Sequence, residues 1–138
     1  MFTKIIIFIV VVLFPIISSG QDIRLQELAI LRKDIAVEMQ YLIAVPQEEP
    51  AAEGWPLLLF LHGLGECGSN INLVKKHGPP KLIENGKRFP FVVVSPQCPR
   101  GSHWEPWRLA VLLDEVIKKN DIDEERVYIT GLSMGGFG

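Results

Sequence analysis

Cysteine, histidine and net charge are all scarce in this chain. Of 138 residues only Cys67 and Cys98 are cysteine, and only His62, His77 and His103 are histidine. They form no Cys-x-x-Cys and no His-x-x-x-His spacing, so no metal site is expected, and nothing implies a cofactor. Fourteen basic against sixteen acidic side chains give a formal charge of −2, without the basic excess that nucleic acid demands. No internal repeat is present. No apolar run reaches the ~20 residues of a membrane-spanning helix. The longest, Ile5 to Ile17, has thirteen residues and contains Pro15. Lys4 precedes this run and Ser18-Ser19-Gly20 follow it, the layout of a secretory signal over residues 1–20. A secreted or periplasmic protein without stable membrane insertion is expected; an uncleaved N-terminal anchor is the alternative. No cysteine follows the small residues, which argues against a lipid anchor. In an exported protein Cys67 and Cys98 can pair, since both fall in loops at the same end of a sheet; a disulfide is possible.

With 48% hydrophobic and 22% charged residues, the chain has the composition of one modest globular core. Residues 21–35 fit a helix or a strand equally well. Val37 to Val45 alternates and then turns apolar, as a first or edge strand does, and Pro46 ends it. An acidic turn from Gln47 to Gly54 then predicts a hairpin with the next run. That run, Trp55 to Leu61, is short and unbroken, the pattern of a strand buried on both faces of a parallel sheet. Ser69 or Asn70 can cap a helix to about Lys76, Gly78-Pro79-Pro80 stops it, and a second short helix is expected near Lys81 to Glu84. Phe89 to Ser95 is another buried strand, followed by a loop rich in Pro, Gly and Trp. Leu109, Leu112, Leu113, Val116 and Ile117 then share one helical face. Pro106 suits the first turn of this helix, and Asn120 can cap it in a left-handed conformation. Past an acidic turn at Asp121 to Glu125, Arg126 to Thr130 reads as a strand. The order strand, helix, strand, helix, strand implies an α/β fold with a mostly parallel sheet and flanking helices.

That last strand runs straight into Gly131-Leu132-Ser133-Met134-Gly135, a Gly-x-Ser-x-Gly pattern. Serine is a weak nucleophile at its free pKa and must be held where a base can reach its proton. A sharp strand-to-helix turn does this. Gly131 and Gly135 flank it where a Cβ would crowd the bend or the neighbouring strand, and Gly136 gives the helix room near the sheet. Acyl transfer also needs donors aimed at the developing oxyanion. His62-Gly63-Leu64-Gly65, directly after a buried strand, can supply the N–H of Leu64, and the residue after the serine supplies that of Met134.

Together, His62-Gly63-Leu64-Gly65-Glu66 and Gly131-Leu132-Ser133-Met134-Gly135-Gly136 resemble the α/β-hydrolase superfamily. More narrowly, with Ser95-Pro96-Gln97-Cys98-Pro99 and Arg126-Val127-Tyr128, they are similar to exported carboxylesterase and phospholipase-like esterases related to feruloyl esterases and polyhydroxybutyrate depolymerases. The resemblance covers about residues 37–138. It implies Ser133 as nucleophile, Leu64 and Met134 as oxyanion donors, and a small-molecule or polysaccharide-linked ester as substrate. His62 is expected to orient the oxyanion turn rather than act as base. Trp104 and Trp107, past the carboxyl end of a strand, either line a substrate pocket or pack their loop onto the core. Glu66 either meets a cation or caps the next helix. Cys67 stands where this group would carry a polar or basic residue. The superfamily order is Ser, then acid, then His. Residues 21–138 are therefore expected to be the N-terminal portion of an α/β-hydrolase domain, truncated after the elbow and inactive alone. A serine peptidase of the same fold and a non-catalytic carbohydrate- or lipid-binding relic are the competing readings.

Overall fold

The computed structural model describes residues 36–137. The signal read in residues 1–20 and the ambiguous segment 21–35 lie outside the described residues. Among the described residues four strands, β1 (Tyr41–Ala44), β2 (Trp55–Leu61), β3 (Val92–Pro96) and β4 (Ile122–Gly131), form one mixed sheet in the order β1-β3-β2-β4. Three helices accompany them, α1 (Gly78–Glu84), α2 (Pro106–Lys119) and α3 (Met134–Phe137), with 3₁₀ turns at Leu64–Glu66 and Ile71–Lys76. Among the described residues no helix is long and apolar enough to cross a membrane.

The core follows from the two unbroken apolar runs. In the parallel register Leu57 faces Val92 and Leu59 faces Val94, so these side chains share one side of the sheet. They join the buried stripe of α2, Leu109, Leu112 and Val116, in a single cluster. On the opposite face Phe60 meets the start of α1, where a Cβ on Gly78 would stand 2.5 Å from its ring. A strand covered on both faces has no use for polar alternation, which is why β3 is buried at all five positions.

The expected hairpin does not form. β1 pairs antiparallel with β3, Tyr41 opposite Pro96 and Ala44 opposite Val93, while β2 is paired in parallel on both sides, with β3 and with β4. A connection as long as Pro46 to Gly54 imposes no hairpin register. The Ile71–Lys76 turn does stop before Gly78-Pro79-Pro80, but that segment also opens α1 at Gly78 rather than near Lys81: both prolines lie in the first turn, where their missing N–H groups leave no carbonyl unpaired. Asn70 caps the Ile71–Lys76 turn, its Oδ1 accepting from the N–H of Asn72 at 3.1 Å. Asn120 closes α2 from extended backbone (φ −130°), donating through Nδ2 to the carbonyl of Val116 at 2.8 Å. β4 starts earlier than its apolar residues suggest. Trp55 is opposite Ile122 but Leu57 is opposite Val127, so the acidic stretch is bulged out of the ladder, closed on itself by the Asp123–Arg126 ion pair.

Candidate active site

The elbow is built by close backbone packing. Ser133 has φ 51°, the only positive value at a non-glycine among the described residues. A left-handed residue with a Cβ costs on the order of 1 kcal/mol, and two glycines hold it there. A Cβ on Gly135 would fall 1.9 Å from the carbonyl oxygen of Leu61, the last residue of β2. A Cβ on Gly131 would fall 1.9 Å from the carbonyl oxygen of Gly135. The Leu132 N–H donates to the Leu61 carbonyl at 3.0 Å, stitching the turn to β2. Gly136 is not part of this clamp, since a Cβ there would meet only Gly131 O, at an ordinary 3.6 Å.

The His62–Gly65 turn leaves β2 beside the elbow. A Cβ on Gly63 would lie 3.6 Å from Ser133 Cβ, so the two motifs are in contact. Gly63 has an ordinary φ of −81°; what its missing side chain provides is an open path between Glu66 and Ser133. Leu64 and Met134 each open a helix, the position whose N–H has no carbonyl one turn back.

His62 is fully buried and both ring nitrogens are engaged. The Cys98 N–H donates to Nε2 at 3.0 Å, which makes Nδ1 the protonated nitrogen, donating to the Gly63 carbonyl at 2.7 Å. Trp104 is buried too: its ring meets His62 edge-on at 4.8 Å and its Nε1 donates to the His62 carbonyl at 3.1 Å. The imidazole thus ties the end of β2 to the segment after β3.

No family model matches the chain. Over 89 residues it is 35% identical to a bifunctional acetylxylan esterase/xylanase, XynS20E, of Neocallimastix patriciarum, covering 59% of this chain and 12% of that protein. A solved thermostable esterase superposes with a TM-score of 0.57 at 33% identity, over 74% of this chain and 32% of its own. The sheet and its flanking helices are those of the α/β-hydrolase fold. The chain thus spans about a third of the solved esterase and a smaller part of the curated relative.

Within this hydrolase fold Ser133, Leu64 and Met134 stand at one end of β2 and β4. Trp104 packs its loop onto the core, whereas Trp107, 47% exposed, faces outward. Neither lines the cavity of about 280 Å³ that lies beside β1 and the 86–91 segment and includes no elbow residue. Glu66 caps nothing; its buried carboxylate faces His77 Nε2 at 3.6 Å. His103 is exposed in its loop. Among the described residues no histidine nitrogen is hydrogen-bonded to Ser133, and no group of three His, Cys, Asp or Glu side chains is placed to hold a metal ion. Gln97 was given no role by the sequence, yet its buried Nε2 donates to the carbonyls of Glu66 and Asn70 at 2.9 and 2.8 Å, fastening the loop behind the oxyanion turn. A polar residue directly after a fully buried strand was the available signal.

Replacing His62 with alanine removes the acceptor for the Cys98 N–H, the donor to Gly63 and the packing of Trp104. We expect a loss of roughly 3 kcal/mol in chemical denaturation. A loss under ~1 kcal/mol would mean that the ring is not the tie described here.

Proposed function

We propose that the protein is a serine hydrolase of carboxylic esters working through an acyl-enzyme. One observation carries the reading: the strained Ser133, locked by Gly131 and Gly135, lies in contact with the turn that presents Leu64. In this scheme Ser133 Oγ attacks the ester carbonyl carbon and gives its proton to a histidine, which the superfamily order places after the serine. The N–H groups of Leu64 and Met134 receive the oxyanion. The alkoxide leaves as alcohol, taking up that proton, and water then releases the acid. The esterase relatives support ester chemistry, and the acetylxylan esterase among them favours an acyl group carried on a polysaccharide or small alcohol. Trp107 is the aromatic candidate for substrate contact, since Trp104 is committed to the core. The apolar run with its small-residue end supports export.

The test uses the full-length gene product with p-nitrophenyl acetate, acetylated xylan and a peptide amide. Ester turnover blocked by a fluorophosphonate is expected. Cleavage of the amide without the esters would favour the peptidase reading, and binding of acetylated xylan without turnover would favour the relic.

A further inference from the structure

The chain's two cysteines, thirty-one positions apart, are neighbours in the fold. Cys67 closes the 3₁₀ turn that begins at Leu64, and the next amide, Gly68 N–H, donates to the Cys98 carbonyl at 2.9 Å. That bond lays the residue after Cys67 on Cys98 itself and sets the two cysteines side by side; a disulfide between them needs α-carbons roughly 4.4–6.8 Å apart. Both are free thiols in the structure and belong to the same apolar cluster, Cys67 8% and Cys98 1% exposed. Neither has a part in the proposed ester chemistry.

We propose that Cys67 and Cys98 form an intramolecular disulfide as the chain folds in the presence of a disulfide oxidant, tying the Leu64 turn to the segment after β3. A thiolate of the pair attacks the oxidant RSSR and expels RS⁻. The second cysteine, as thiolate, attacks the mixed disulfide at the protein sulfur and expels the other RS⁻. Two protons pass from the cysteines to the two leaving thiolates; the cysteine sulfurs are oxidised and RSSR is reduced to two RSH. Folding sets the timing. Once buried, the Cys98 thiol is pushed from 9.0 to about 12, by desolvation first and by neighbouring Cys67 second, so the docked pair offers little thiolate. The bond therefore closes before the loop docks and is shielded from reductants afterwards. Because the N–H of Cys98 also holds His62, the bond would hold both ends of His62–Cys67 against the same segment. The proposal is independent of which reaction, if any, Ser133 performs.

The full chain, reduced and unfolded in denaturant, is refolded in reduced and oxidised glutathione, alkylated, digested and analysed by non-reducing mass spectrometry. A peptide joining Cys67 to Cys98, lighter by two hydrogens than the sum of its parts, is expected. The Tm should exceed that of the reduced chain by on the order of 10 °C, and Cys67→Ser should abolish both the link and the increment. Alkylation of both thiols after oxidative refolding, a link between two chains only, or a Cys67→Ser protein melting with the oxidised parent would overturn the proposal.

Discussion

Ser133→Ala is expected to end covalent labelling by a fluorophosphonate and to lower ester turnover of the full-length gene product by on the order of 10⁶-fold. The loss should fall on kcat, because the hydroxyl forms its bond only as the reaction proceeds, while ester binding uses other groups. Stability separates this from a folding defect. Alanine keeps a Cβ in the same left-handed backbone, so its melting curve should match the parent's. Ser133→Gly removes that Cβ and should gain up to ~1 kcal/mol while being equally inactive, because the φ of 51° is then unstrained. Unchanged labelling of Ser133→Ala would sink the assignment of the nucleophile. A Ser133→Gly protein no more stable than the alanine variant would sink the account of stored strain.

Gly135→Ala should fail to give folded soluble protein. Its Cβ would lie 1.9 Å from Leu61 O and 2.8 Å from Leu61 Cβ, and the nearer neighbour is backbone of the central strand that cannot rotate aside. Relief requires moving α3 off β2 and breaking the Leu132-to-Leu61 hydrogen bond, a cost of roughly 4 kcal/mol or more. Gly136→Ala is the control. One residue later the same methyl meets only an oxygen 3.6 Å away, and a change within ~1 kcal/mol is expected. Expression, solubility and urea denaturation compare the two directly; equal behaviour would show that the elbow is not seated on β2 as described.

What could be read from the sequence was what periodicity and glycine spacing encode locally. The runs of β2 and β3, the apolar stripe of α2, and the crowding at Gly131 and Gly135 all follow from residue types within a few positions. Strand partners do not. Nothing in Tyr41–Ala44 says that it will pair with β3 instead of its sequence neighbour β2, because that choice depends on β4 taking the other edge of β2. Proline misled at Gly78-Pro79-Pro80 since the same residue ends one helix and begins the next. The candidate site shows the same division. Ser133 in its turn was legible, and so was the placing of Cys67 and Cys98 at one end of the sheet, whereas the Cys98 N–H on His62 and the Gln97 clamp join segments roughly thirty residues apart and needed the fold.

The strand order has one more consequence. From β2 the chain crosses to β3 on one side through α1, and from β3 it crosses back over β2 to β4 through α2. The first connection leaves the carboxyl end of β2 and the second that of β3, so they run in opposite directions across the sheet and enclose β2 between β3 and β4. Ser133 and the Gly63–Leu64 turn stand at the carboxyl ends of β4 and β2, and the loops that follow β2 and β3 are fastened to each other by the Gln97 hydrogen bonds to Glu66 and Asn70. The glycine packing of the elbow involves only Gly131, Gly135 and the end of β2 at Leu61, and none of its close contacts comes from those loops. The backbone geometry of Ser133 is therefore set by the two strand ends and the elbow glycines, and exchanging the loop after β3 should leave its φ and its seat on β2 in place.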